Sequence, residues 1–237
     1  MKRTLPIIAI LIMLIQTISH AQIADRTHYL DSVVKAMQVQ WPKNRTINLV
    51  FHGHSVPSGY FRTPDVRTFE SYPHLAFKGI KEHYPYAVIN AITTSIGGEN
   101  SKSGAARFEK DVLTHRPDVL FIDYALNDRG LSLQESYTAW SSMIEKAQSA
   151  GIPVILLTPT ADTSARMTNP KDPLTQHADQ VRELAAKYHT GLIDSYTLFI
   201  AYVQKGGKLE DLMSQINHPN LQGHTLVAEE IVKWFIR

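Results

Sequence analysis

The run DVLFIDYAL at residues 118–126 holds almost nothing that prefers water, and its apolar residues are largely β-branched or aromatic. Such a run is buried only when both faces are covered, as in a central strand of a parallel sheet. Pro117 bounds it on one side and Asn127-Asp128-Arg129-Gly130, a strand-stopping cluster, on the other. Four further segments read as strands: one through Ile47, Leu49 and Phe51 that stops at Gly53, and then 86–92, 153–158 and 191–194. Between them, 69–83, 101–115, 132–150 and 174–189 carry apolar residues at helical spacing. A lead-in over 28–40 and a closing segment over 221–236, with Val227, Ile231 and Phe235 on one face, do the same. Strands alternating with helices predict an α/β fold, a parallel sheet with helices on both faces and right-handed crossovers. Five strands fit the flavodoxin-like order 2-1-3-4-5. No repeat, linker or composition shift divides residues 22–237, so a single domain is expected.

The first twenty-one residues read differently. Lys2 and Arg3 precede an uncharged apolar run from Leu5 to Ile15, and Ser19 and Ala21 supply small residues ahead of Gln22. That run is shorter than the ~20 apolar residues of a membrane span and has the layout of a cleaved secretory signal. The expected product is secreted or periplasmic. The chain has no cysteine, which excludes disulfides and a cysteine-linked lipid anchor, so the domain depends on its own core. Loss of Lys2 and Arg3 would bring the 24 Lys and Arg level with the 22 Asp and Glu. A balanced chain without like-charge blocks lacks the footprint of a nucleic-acid binder or a polybasic membrane patch.

In an open α/β sheet, ligands bind in the crevice at the carboxyl ends of the strands. Four polar elements fall there in sequence. Ser55 follows the first strand, Gly97-Gly98 the second and Asn127 the third, while His218 opens a late HPNLQGH segment. Each has an ordinary reading taken alone: a turn serine, a glycine at positive φ, a turn asparagine, a loop histidine.

Their order resembles that of the SGNH (GDSL-type) hydrolases, whose four blocks are built around Ser, Gly, Asn and His. Here the blocks read GHS at 53–55, SIGGENS at 95–101, ALND at 125–128 and NHPNLQGH at 217–224. The resemblance covers essentially the whole of residues 22–237 and implies a three-layer α/β/α sandwich and acyl-transfer chemistry. That chemistry needs a nucleophile, a base that takes and returns its proton, and donors aimed at a developing oxyanion. The resemblance makes Ser55 the nucleophile and His218 the base. The backbone N–H groups of Ser55 and Gly98, with the Asn127 amide, make the oxyanion hole. Gly98 is chosen over Gly97 on the family's spacing.

Two positions depart from the family. His54 stands where the first block usually carries an acid. Gln215 stands where an Asp usually lies three residues before the histidine, so a Ser-His dyad is expected. The orienting group for His218 is then the Gln215 amide, a backbone carbonyl, or a carboxylate from elsewhere such as Asp211. His52, His54 and His74 invite a zinc reading, but no third ligand follows at recognisable spacing, and neither metal nor cofactor is expected. The expected function is hydrolysis of O-acyl esters, O-acetyl first, on carbohydrates, with aromatic side chains such as Tyr60, Phe61 and Tyr124 at the rim. A lipase or lysophospholipase is the alternative enzyme, and a catalytically silent carbohydrate-binding protein the alternative of another class. The expected partner is a small-molecule or glycan ester, with no nucleic acid and, after signal cleavage, no stable membrane anchor.

Overall fold

A computed structural model describes residues 22–236, so the expected signal at 1–21 lies outside the described residues. Five parallel strands form the central sheet: β1 (Thr46–Gly53), β2 (Val88–Thr93), β3 (Val119–Asp123), β4 (Val154–Leu157) and β5 (Gly191–Ile193). Their spatial order is β2-β1-β3-β4-β5, the flavodoxin-like order expected. The period-two geometry of a strand sends alternate residues to opposite faces. Ile47, Leu49, Phe51, Val119, Phe121 and Ile155 enter one apolar cluster, and Val50, Leu120, Ile122, Val154 and Leu156 the other. The first cluster is closed by helices α1 (Asp31–Met37), α3 (Tyr72–His83), α7 (Ser195–Gln204) and α8 (Leu221–Val232). The second lies under α4 (Ser101–Asp111), α5 (Leu133–Ser149) and most of the apolar face of α6 (Pro173–Tyr188). The result is the expected three-layer sandwich.

The register brings the strand ends together. Phe51 pairs with Phe121 across β1 and β3, with rings stacked 4.4 Å apart, and Gly53 pairs with Asp123 at the shared carboxyl edge. A side chain at Gly53 would place its Cβ 2.4 Å from the Asp123 carbonyl oxygen, so this close approach of backbones needs glycine. β3 ends earlier than the run 118–126 suggests. The Tyr124 carbonyl accepts from the backbone N–H groups of both Asn127 and Asp128, which turns the chain at Tyr124.

The segment after β1 also differs from the polar loop expected there. Ser55 begins a four-residue helical turn, α2 (Ser55–Ser58), capped by His54, whose Nδ1 accepts from the Val56 N–H at 3.3 Å. Before α8 the chain forms a two-stranded antiparallel ribbon, β6 (Met213–Gln215) against β7 (His218–Pro219), which pairs Gln215 with His218. Ser214 secures it by donating its hydroxyl to the His218 and Pro219 carbonyls at 3.0 and 3.1 Å.

Candidate active site

Ser55 and His218, separated by 163 positions, meet at the carboxyl edge of the sheet, with His218 Nε2 2.9 Å from Ser55 Oγ. Each is 6 % exposed, so the contact is shielded while still reachable. His218 Nδ1 lies 2.7 Å from the Phe61 carbonyl oxygen, an acceptor that fixes the hydrogen on Nδ1 and leaves Nε2 bare toward the serine hydroxyl. Burial pushes the His218 ring below the ordinary histidine value, partly opposed by the Phe61 carbonyl and reinforced by the His54 ring. The ring is therefore neutral at neutral pH, the state a base requires.

Of the three orienting groups left open by the sequence, the Phe61 carbonyl has the matching chemistry. Gln215 is also close, but the nitrogen end of its amide faces Nδ1 at 2.7 Å, while Oε1 accepts from the Thr63 N–H at 3.0 Å. Asp211 is committed elsewhere: its carboxylate accepts from the Lys208 N–H at 3.0 Å and caps the short 3-10 turn before the ribbon.

His54 stands beside the serine, with Nδ1 3.5 Å from Ser55 Oγ. Its Nε2 is 3.3 Å from Asp123 Oδ1, both side chains being almost fully buried. Asp123 Oδ2 accepts the Tyr72 hydroxyl at 2.9 Å. Burial, with the Asp123 charge beside it, raises Tyr72 well above the usual phenol range, so it stays a donor. This trio anchors the turn that presents Ser55; His54 stands out in the sequence as the departure in the first block, whereas Asp123 and Tyr72 carry no spacing signal there.

The Gly97-Gly98 turn and Asn127 come together on the other side of Ser55. Ile96 donates its N–H to the Gly53 carbonyl at 3.0 Å, tying the turn to the end of β1. Gly98 has φ +78°, a left-handed conformation that disfavours any side chain, and its neighbourhood is open. Asn127 Nδ2 donates to the Glu99 carbonyl at 2.9 Å. An amide nitrogen has two hydrogens, so the second remains for a ligand. Asp128, fully buried, accepts from the Ser101 N–H and from Trp140 Nε1, each at 2.7 Å, and so joins the Asn127 turn to the start of α4. The Tyr60 ring lies against Gly97 and 5.9 Å, centre to centre, from the His218 ring, spanning the gap between the two sides.

Of the expected rim aromatics, Tyr60 is half-buried, whereas Phe61 and Tyr124 belong to the core and present no ring to a ligand. The histidines of the zinc reading are dispersed. His52 contacts Thr94, Tyr124 and the Gly104 carbonyl, while His54 faces Asp123 and His74 lies beside Ser71. Among the described residues, no group of three or more His, Cys, Asp or Glu side chains is placed to hold a metal ion.

A cleft of about 430 Å³ opens at Asn127, with Arg129, Ser164 and Asp172 among its walls. Arg129 is held there by Asp162 at 2.8 Å. A larger one of about 940 Å³ lies behind the Phe61–Asp65 loop and is lined by neither Ser55 nor His218, so size does not mark the reactive pair.

The model of the GDSL-like Lipase/Acylhydrolase family matches residues 51–226. Solved structures share the fold. A two-domain esterase (CEX) active on acetylated mannans superposes with a TM-score of 0.72 at 21 % identity, over 92 % of this chain and 54 % of that one. This chain thus spans about half the length of that esterase. An acetylxylan esterase from Geobacillus stearothermophilus superposes at 0.68 with 21 % identity, over 80 % of this chain and 94 % of that one. The sequence matches no curated protein.

Proposed function

The chain belongs to the GDSL-like lipase/acylhydrolase family, and on that footing we propose that it is an exported serine esterase acting on O-acyl, chiefly O-acetyl, groups of carbohydrates. The observation that carries the reading is the 2.9 Å contact between Ser55 Oγ and a His218 ring whose other nitrogen meets a carbonyl. In the first half-reaction Ser55 Oγ bonds to the ester carbonyl carbon as His218 Nε2 takes its proton. The oxyanion is received by the N–H groups of Ser55 and Gly98 and by the free Asn127 Nδ2 hydrogen. The C–O bond to the sugar then breaks and His218 returns the proton to the departing alkoxide. In the second, water takes the place of Ser55 Oγ, and acetate and free serine result.

Two things support a sugar as the alcohol. One is the likeness in fold to an esterase active on acetylated mannans and to an acetylxylan esterase. The other is the polar cleft beside Asn127, suited to hydroxyl groups. A second reading, hydrolysis of lipid esters, draws on Ile96 and Ile216, large apolar residues exposed next to Gly97 and in the β6–β7 turn. A series of p-nitrophenyl esters from acetyl to dodecanoyl, beside acetate release from acetylated xylan and mannan, separates the readings. Fastest turnover of acetyl esters with release from the polymers is expected, and a preference rising with chain length would favour lipid. No hydrolysis and no fluorophosphonate labelling of Ser55 would leave a silent binding protein. Export is part of the proposal, and mass spectrometry of the exported protein should find Gln22 at its start.

A further inference from the structure

Behind the Gly97-Gly98 turn lies a buried polar cluster that the reaction above does not use. Glu99 turns its side chain inward, where it is 9 % exposed, while its backbone carbonyl faces outward and accepts from Asn127 Nδ2 at 2.9 Å. Arg107, one and a half turns into α4, grips the carboxylate through Nε, 2.9 Å from Oε1, and through Nη2 on Oε2. The same Nη2 donates to the Thr94 carbonyl at 2.7 Å, so the guanidinium clasps both ends of the segment that carries the glycines. The Tyr124 hydroxyl donates to Glu99 Oε2 at 3.0 Å. Burial, and after it the Glu99 charge, push the Tyr124 phenol up, which keeps it a donor. His52 closes the cluster, 3.1 Å from the Tyr124 oxygen, and burial with Arg107 nearby lowers it to about 4, leaving it uncharged. The charges present are the Glu99 carboxylate, the Arg107 guanidinium in fork contact with it, and the more exposed Asp111 carboxylate, 3.5 Å from Arg107 Nη1.

From this geometry we infer that Glu99 is the positioning residue of the oxyanion hole, its carboxylate locking the turn that presents Gly98 N–H and its carbonyl aiming Asn127 Nδ2. Both donors depend on where this single residue sits. Gly98 immediately precedes Glu99, and the Glu99 N–H closes the turn on the Ile96 carbonyl at 3.2 Å. Asn127 spends one amide hydrogen on the Glu99 carbonyl, which fixes the direction of the other. Tyr124 links the two from below, since its side chain holds the carboxylate while its backbone carbonyl starts the Asn127 turn. A positioned donor acts on charge that appears only in the transition state, so its misplacement lowers kcat and leaves KM. Glu99 has no contact with Ser55 or His218 among its hydrogen bonds, so the base should titrate unchanged.

The inference rests on the esterase reading, and the test separates the two. Steady-state kinetics on p-nitrophenyl acetate are measured across pH for the parent, Glu99→Ala and Tyr124→Phe, with inhibition by a trifluoromethyl ketone, which forms a tetrahedral oxyanion on Ser55. Glu99→Ala is expected to lower kcat roughly 10- to 100-fold, short of the ~10²–10³ for removing a donor outright. KM and the acid midpoint of the pH profile should stay, and ketone affinity should weaken in step with kcat/KM. Tyr124→Phe, which keeps the ring in the core, should show the same pattern at roughly three- to tenfold and serves if Glu99→Ala does not fold. An active parent with unchanged kcat in the folded variants overturns the inference alone. So does a loss of kcat with unaltered ketone affinity, or one in which the pH midpoint moves as well. A parent that neither hydrolyses the ester nor binds the ketone overturns the esterase reading and this inference together.

Discussion

On one side of Ser55 the His218 ring is oriented by an uncharged oxygen, the Phe61 carbonyl. On the other, the Gly98 turn and Asn127 stand over a buried ion pair, Glu99 with Arg107. The two sides answer different electrostatic demands. The base must take up and return a proton, and a carboxylate at Nδ1 would help it hold that proton as imidazolium. A carbonyl fixes the tautomer without that support, so the ring stays a weaker base, neutral at neutral pH. The oxyanion side must place neutral donors accurately. A lone carboxylate near a developing negative charge would repel it, and at an effective dielectric of 20 two charges ~4 Å apart interact by about 4 kcal/mol. The Arg107 fork removes that repulsion while keeping the rigidity of a charged anchor. Charge therefore serves as scaffold on one side and is absent from the orienting position on the other.

The comparison breaks most readily if Ser55 and His218 are not one unit. Ser55→Ala and His218→Ala should each lower kcat by roughly 10⁴-fold or more, and the double variant little further, since members of one unit are not additive. Steady-state kinetics with circular dichroism check this, and near-parental turnover of either folded variant would remove the reactive pair. Next in size, Asn127→Ala should lower kcat by roughly 10²–10³ with KM little changed. A raised KM with kcat intact would instead make Asn127 a ground-state contact and take the oxyanion role from that side.

The strands were legible because a central parallel strand needs a continuous apolar run, and 118–126 and 153–158 have one. Ser55, Gly98, Asn127 and His218 stand out through the order of four blocks that resembles the family's, since each alone reads as an ordinary turn or loop residue. The orienting group was not, because the Phe61 carbonyl is a backbone atom 157 positions from His218 and leaves no side-chain signature. Glu99 and Arg107 carry no sequence signature for a related reason. They lie eight positions apart across a loop-to-helix junction, outside the i,i+3 and i,i+4 spacing that marks helix pairs. The ribbon of Met213–Gln215 and His218–Pro219 is too short to show period-two alternation. Residues 124–126 continue the apolar run of β3 in sequence and are equally buried, although the backbone has already turned.

Each side also rests on a buried neutral histidine, and acid should strain both. His52 lies in the Glu99 cluster and is lowered to about 4 by burial and by Arg107. His224 stacks beneath Phe61, with ring centres 5.1 Å apart, and is lowered to about 3 by burial and by His218. Above the unfolded value of about 6.5 both rings are neutral whether the chain is folded or not, and nothing is lost. As pH falls below it, the unfolded chain takes up protons that the folded chain refuses, and stability declines. The slope should reach about 1.4 kcal/mol per pH unit for each ring, flattening for His52 near its folded value and continuing lower for His224. Urea unfolding between pH 7 and 4 measures it, and a flat profile would mean that neither ring is held neutral.

The smallest expected effect tests the orienting position itself. Nδ1 of His218 carries one hydrogen at most, yet it has an acceptor in the Phe61 oxygen and a donor in Gln215 Nε2, each at 2.7 Å. The two contacts call for opposite tautomers. Donation to Phe61 leaves Nε2 bare to take the Ser55 proton, whereas donation from Gln215 would put the hydrogen on Nε2 and deprive Ser55 of its base. If the carbonyl governs, Gln215→Ala should leave kcat within about threefold of the parent, because the side chain it removes competes with the productive tautomer. The parent's acid limb should fall below the ordinary ~6.5, since burial lowers the ring and activity persists until the base is protonated. Gln215→Glu keeps the length and the acceptor for the Thr63 N–H while bringing a carboxylate to Nδ1. An opposite charge at that range favours the imidazolium, so the acid limb should move up by about one unit, with kcat changed less than roughly tenfold. The pH–rate profiles of the three proteins decide between the models. A Gln215→Ala loss as deep as that of His218→Ala would make the amide the orienting group, and the two sides of Ser55 would no longer differ in the way the Phe61 contact implies.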